Sequence, residues 1–220
     1  MISKAFAAVA AIVVAGSAQA ATVTVDFTNA SSGAWANSLV YAQGGLGLTV
    51  TGGDAAGGSG KVATWAGHGL GMKSSADCVW SCSGSDHQID SNGPDDVVTF
   101  SFDKAVSIAT IIFNYVDPTD RYDLYEGATK TVSGGVVSNL VSVTTGSNTV
   151  FRVGAAMLTS TSCHRWFGCY TSQTNSAFKL ASLTVSYSDT PASVPVPAAG
   201  LLLLGGLGAL GLARRRKAAA

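Results

Sequence analysis

Glutamate is nearly absent from this chain. Glu126 stands alone against twelve aspartates. Asp favours turns where Glu favours helix interiors, so the acidic residues argue against a helical protein. Charge is scarce as well, at 12% of residues, which excludes a coiled coil. Basic clusters are missing from the middle of the sequence. All thirteen acids fall between Asp26 and Asp189, where only eight of the thirteen bases lie, a net of minus five for that stretch although the whole chain sums to zero. Phosphate binding needs clustered Lys and Arg, so nucleic acid is excluded as a partner. Catalytic signatures are missing too. No Gly-x-Ser-x-Gly elbow occurs, and His68, His87 and His164 are too scattered to read as a triad. The glycine-rich run before Lys61 has Ala55 where a phosphate loop needs Gly, and Val62 where it needs Ser or Thr. Paired carboxylates for glycoside hydrolysis are defined by spatial separation and cannot be read here. The chain is expected not to be an enzyme.

What is present begins with two ends that read as addresses. Residues 1–20 combine Lys4, an apolar run from Ala5 to Ala15 and an Ala18-Gln19-Ala20 ending, the pattern of a secretory signal peptide that leaves Ala21 as the mature start. At the other end, residues 190–197 form a short linker containing Val194-Pro195-Val196-Pro197. An apolar run over 198–213 follows, and then a basic tail, 214–220, with Arg214, Arg215, Arg216 and Lys217. The apolar run is just short of the roughly 17 to 25 residues that usually span a bilayer. It has no polar face, which excludes an interfacial amphipathic helix. It reads as a transmembrane helix in the inner membrane, with the basic cluster as a stop that holds the C-terminus in the cytoplasm.

Pro-x-Pro, apolar helix and Arg cluster in that order resemble the PEP-CTERM sorting tail of Gram-negative bacteria, in particular its Val-Pro-Leu-Pro-Ala variant. Val194, Pro195, Val196, Pro197 and Ala198 supply the motif, with Val196 in place of the variant's Leu. The resemblance implies a membrane-embedded exosortase-type protease as partner. It also implies cleavage near the Pro motif and delivery to the cell surface or the extracellular polysaccharide matrix. Gly69-Leu70-Gly71-Met72, followed by the turn Asp86 to Asp96 and the apolar run to Phe100, also resembles a block common in exosortase-sorted surface proteins.

The middle, 21–189, has a period of two. Val23, Val25 and Phe27, then Leu46, Leu48 and Val50, then Val98, Phe100 and Phe102 alternate with smaller or polar residues, as half-buried strands do. Val106 to Val116 is apolar on both faces and reads as a central strand. Further strands are expected at 61–65, 121–126, 140–144, 149–153 and 178–187. In the last, the apolar parity flips near Ala181-Ser182, which predicts a bulge. Turn residues such as Gly52-Gly53-Asp54 and Ser91-Asn92-Gly93-Pro94 separate the runs. The fold class is all-β, an antiparallel β-sandwich of jelly-roll type, with a signal helix before it and a hydrophobic helix after it.

Three sets of residues carry candidate sites. Cys78, Cys82, Cys163 and Cys169 allow three pairings. In an exported chain two disulfides are expected, with the local pairs favoured, each pinning a polar loop; a zinc site with His87 and His164 is the rival reading. Asp90, Asn92, Asp95 and Asp96 place hard oxygen ligands on one turn and suit a structural calcium ion, although the spacing matches no EF-hand. Trp80 lies between the first two cysteines and Trp166 between the second two. Both are candidate sugar-stacking aromatics, or else a lid folded over the end of the sandwich. The functional expectation is a non-catalytic surface or matrix protein. A carbohydrate-binding module that recognises exopolysaccharide is the alternative, and an exported hydrolase the third reading.

Overall fold

The computed structural model describes residues 19–29, 33–74, 87–166 and 168–189, with 205 in addition. Cys78, Trp80, Cys82, the sorting motif Val194 to Ala198, the apolar run apart from residue 205 and the basic stop Arg214 to Lys217 lie outside the described residues. Residues 20–188 form one compact unit. The first seven strands are β1 (Gln19–Asp26), β2 (Ser38–Gln43), β3 (Leu46–Asp54), β4 (Ser59–Trp65), β5 (Gly69–Ser74), β6 (Ile89–Asp90) and β7 (Asp96–Asn114). The remainder are β8 (Arg121–Glu126), β9 (Thr129–Val136), β10 (Leu140–Ser142), β11 (Asn148–Ala155), β12 (Leu158–His164), β13 (Gly168–Thr174) and β14 (Ala177–Asp189). The domain is all-β and its ladders are antiparallel, as the period of two predicts.

Alternation decides which side each strand buries. In β3 the side chains of Leu46, Leu48 and Val50 are buried and those between them half-buried. Phe100 of β7 lies in register between Val50 of β3 and Phe151 of β11, and all three are fully buried. Phe27, Phe113 and Phe178 are buried as completely. Each such ring contributes roughly 1.5 to 3 kcal/mol by leaving water. Phe27 stacks on Phe100 with centroids 6.0 Å apart, and Phe113 meets Phe178 edge-on at 5.0 Å. β1 starts at Gln19, before the expected mature terminus, but its buried positions are Val23 and Val25. Cleavage after Ala20 therefore leaves Val23 and Val25 in place.

β7 organises the sheet. The sequence reads as two strands here, Val98 to Phe102 and Val106 to Val116, but the backbone continues through Asp103, Lys104 and Ala105 as one nineteen-residue strand. Its first half pairs with β3 and β11, and its second half with β10 and β14. Because β14 also pairs with β5, the pairings β7 to β3, β4, β5, β14 and back to β7 make a closed circuit. The predicted bulge is present in β14: Leu180 pairs with Phe113 and Ser182 with Ile112, so Ala181 is the extra residue. Its carbonyl accepts the Phe27 amide at 2.9 Å. The bulge thus gives an inner residue of the core a backbone anchor. β12 and β13 pair only with each other, as a second sheet.

Candidate functional site

Cys163 and Cys169 were expected in a polar loop. They stand instead in a β-hairpin arm with unbroken register, from Leu158 opposite Thr174 to His164 opposite Gly168. The sequence of the arm explains why no period announced it. Thr159-Ser160-Thr161-Ser162 and Tyr170-Thr171-Ser172-Gln173 are polar on both faces, so there is no side to bury, and every described residue from Thr159 to Asn175 is exposed. An isolated two-stranded ribbon is marginal in water. Here it is clamped by the disulfide between Cys163 and Cys169, which are directly opposed. The local pairing is the one favoured above, and it removes these two thiols from any zinc site.

Aromatic side chains crowd the clamped end. Trp166 is 85% exposed and Tyr170 57%, and His164 stacks parallel to the Tyr170 ring at 5.9 Å. The lid reading is therefore wrong for Trp166, which projects from the turn and does not cover the core. Large exposed rings on a surface mark an interaction site.

The feet of the arm are fixed by a buried polar network. Ser176 Oγ donates to the Ala156 carbonyl at 2.6 Å and accepts the Arg121 amide at 2.8 Å. The Ser176 amide donates to Ser91 Oγ at 2.8 Å, and the Ser91 amide to the Ser176 carbonyl at 3.0 Å. Beside it, Asp120 accepts the Ala177 amide at 3.0 Å and the Asp117 amide at 2.6 Å. Residues on either side of the arm, Ala156 and Ser176, are thereby tied to each other and to two turns, the one at Ser91 and the one that leads into Arg121.

The candidate calcium residues occupy one of those turns, where two of their carboxylates accept backbone amides. Asp90 and Asp96 are buried, Asp95 is half-buried and Asn92 is exposed. Asp90 Oδ1 accepts the Asn92 amide at 2.9 Å, and Asp96 Oδ2 accepts the Asp90 amide at 3.3 Å. Asn92 Oδ1 accepts from Asn175 at 3.4 Å. Among the described residues no group of three or more His, Cys, Asp or Glu side chains converges to hold a metal ion. Asp90 and Asp96 each cap a backbone amide of the turn, the ordinary work of Asp in turns. Asp117, Asp120 and Asp123, spaced by threes in the sequence, are likewise spread over separate tasks. Asp123 pairs with Lys130 and accepts the Gly134 amide at 2.8 Å. Its carboxylate holds the Lys130 ammonium above the ordinary lysine range.

A second aromatic cluster was not foreseen as a unit. Trp35 and Trp65 meet edge-on at 5.3 Å, and His87 lies 5.6 Å and 5.5 Å from them. Lys179, buried, places its ammonium 4.1 Å over the Trp65 ring and 5.2 Å over Tyr115. Burial pushes its amine below the ordinary lysine range, and the ring faces offset part of that cost. Tyr115 adopts φ 57°, rare for a bulky residue, and its hydroxyl bonds His68 Nδ1. These residues sit far apart in sequence, and only the strand pairing brings them together.

The described residues thus carry two aromatic groupings, one at the end of the arm and one around Trp35 and Trp65. The family comparison concerns the tail, where the model for the PEP-CTERM protein-sorting motif matches residues 193–217. This chain carries a PEP-CTERM sorting tail. The match encloses both Val194-Pro195-Val196-Pro197-Ala198 and Arg214-Arg215-Arg216-Lys217. A PEP-CTERM tail marks export and sorting to the cell surface or a membrane-associated destination, with exosortase as the kind of partner that handles it. Comparison with curated proteins and with solved structures finds no match. Among the described residues no helix is long and apolar enough to cross a membrane; the run 198–213, residue 205 apart, lies outside them.

Proposed function

We propose that this PEP-CTERM protein is a non-catalytic structural or adhesive component of the envelope or of the extracellular polysaccharide matrix. In this reading an exosortase-type protease cuts the tail near the Pro motif, as in the Val-Pro-Leu-Pro-Ala variant, and releases the β-domain from the inner membrane. The observation that carries the adhesive role is the arm: seven residue pairs of hairpin bury almost nothing of their own, and such a ribbon is a cost to stability unless it contacts something else. The intact mass of the native protein, recovered from cells and from matrix with and without reduction, tests the delivery. The expected chain begins at Ala21, ends near Pro197 and gains the hydrogens of two disulfides on reduction. A chain running from Ala21 through Ala220 in both fractions would overturn processing and leave a membrane-anchored protein.

A second reading, carbohydrate binding through loop aromatics, draws support from Trp166. An exposed indole on a rigid, stapled turn offers an apolar face at little conformational cost, the property by which aromatic anchors bind. Trp166→Ala is expected to weaken retention of the protein on purified exopolysaccharide without changing its melting temperature. Unchanged retention would remove this reading and leave the structural one standing.

A further inference from the structure

The outer side of β4 and β5 carries a cavity of about 580 Å³ whose lining includes Trp35, Asn37, Lys61 and Lys73, with the cross-strand pair Gly52 and Gly60. Its size lies within the range of small-ligand sites, roughly 300 to 1,000 Å³, well beyond what a lone inorganic ion fills. Its charge is the more informative feature. Lys61 and Lys73 are register partners on adjacent strands, and like charges placed directly opposite each other disfavour the pairing. The folded middle has only eight bases against thirteen acids, yet two of those bases meet here, and among the described residues no Asp or Glu lines the cavity. A positive concavity on a negatively charged domain draws an anion to that place and to few others.

The remaining lining argues for a sugar. Trp35 is held by edge-on packing against Trp65 and by His87, so an apolar wall is fixed in place before a ligand arrives. Asn37 and Ser59 add exposed hydrogen-bonding side chains. One apolar wall, several neutral polar groups and the exposed ammonium of Lys61 together match a pyranose ring that bears a carboxylate. We propose that this cavity binds a carboxylated sugar unit of an acidic polysaccharide, with Lys61 as the principal partner of the carboxylate and Trp35 as the wall against the ring. Lys73 keeps another interaction within the protein, so the test turns on Lys61. The site is separate from the arm, and it does not depend on Trp166 binding anything.

The full mature chain is titrated with trigalacturonate, with the neutral trisaccharide galactotriose and with inorganic phosphate, followed by calorimetry. Saturable binding of trigalacturonate is expected, weakening as salt rises. Lys61→Ala should reduce the affinity about tenfold, the loss typical of one charge-assisted contact, and Lys61→Arg should restore most of it. Lys61 is exposed, so both variants should melt with the parent. Absence of trigalacturonate binding, or binding indifferent to Lys61→Ala, would overturn the proposal. Galactotriose binding as tightly would remove the role of the carboxylate, and phosphate competing at equal concentration would reduce the site to a plain anion trap. Binding lost in Trp166→Ala but kept in Lys61→Ala would place sugar recognition on the arm and overturn this site while supporting the other.

Discussion

Asp120 and Ala177 are 57 positions apart in sequence, yet the carboxylate of one accepts the backbone amide of the other at 3.0 Å. The same carboxylate takes the Asp117 amide at 2.6 Å, and the side chain is buried. One acidic residue therefore closes its own turn and pins the start of β14 beside the foot of the arm. Asp120→Ala leaves two part-buried amides without this acceptor, at about 1 to 2 kcal/mol each, the lower part of the range for a donor left unsatisfied. A loss of about 2 to 4 kcal/mol is expected from urea unfolding. Asp120→Asn, which keeps one acceptor oxygen, should lose less. A midpoint shift worth under about 0.5 kcal/mol, the level of an indifferent surface change, would refute the assignment.

Gly71 faces a different constraint. A Cβ there would run into the carbonyl oxygen of His87, which is backbone and cannot rotate away, and into the Trp65 ring. Gly71→Ala should cost about 1 to 3 kcal/mol, the range for overpacking, and lower the melting temperature by several degrees, about 2 to 4 °C for each kcal/mol in a domain of this size. Melting together with the parent would show that the segment bearing His87 does not lie against β5.

How much could be read in advance follows from what each strand buries. β3, most of β7 and the second half of β14 bury one face, and Leu46-Leu48-Val50 or Leu183-Val185-Tyr187 announce it. Even the bulge at Ala181 was visible as a change of parity. β9 and the arm were missed because Thr129 to Val136 and Thr159 to Gln173 bury almost nothing, and a strand with no inside carries no period. β5 was hidden by Gly69 and Gly71, which leave no apolar alternation to read. The disulfide of the arm was legible as a local pair, but the exposure of Trp166 was not, since a tryptophan in a polar loop fits a lid as well as an anchor. Lys61 and Lys73 gave no signal at all. They are twelve positions apart, and only the register of β4 against β5 makes them neighbours.

Asp95 gives the fold a pH dependence of known sign. Its half-buried carboxyl is raised above the ordinary 3.8, first by desolvation and then by the nearby Asp123 charge, with Lys130 opposing. A raised carboxyl binds its proton more tightly in the folded than in the unfolded chain, so its contribution to stability is full below the ordinary value and is lost as pH rises through the folded one. At neutral pH the ionised side chain is a penalty. Asp95→Asn should therefore raise the urea midpoint at neutral pH, and the gain over the parent should vanish when both are measured below the ordinary carboxylate range. A gain of equal size at both pH values would mean that the charge of Asp95 is not its cause.

The arm makes the last prediction, because its stability has a source apart from the core. From Thr159 onward its side chains are solvent-exposed on both strands, so what holds it closed is its own ladder, the staple and the network at its feet. Closing a short loop by a disulfide is worth about 2 kcal/mol in the chain-entropy account. Cys163→Ser together with Cys169→Ser should therefore let the arm open locally. Amides bonded across the ladder between Ser160 and Ser172 should exchange about thirtyfold faster, the rate equivalent of that energy. Exchange at Phe100, Phe113 and Val185, deep in the main sheet, should not change. If core amides accelerate together with those of the arm, the hairpin is part of the cooperative unit, and the staple then serves the fold as a whole. If only the arm responds, the disulfide serves to hold Trp166 and Tyr170 in one presentation. Retention on exopolysaccharide should then fall in the serine variant although both rings remain.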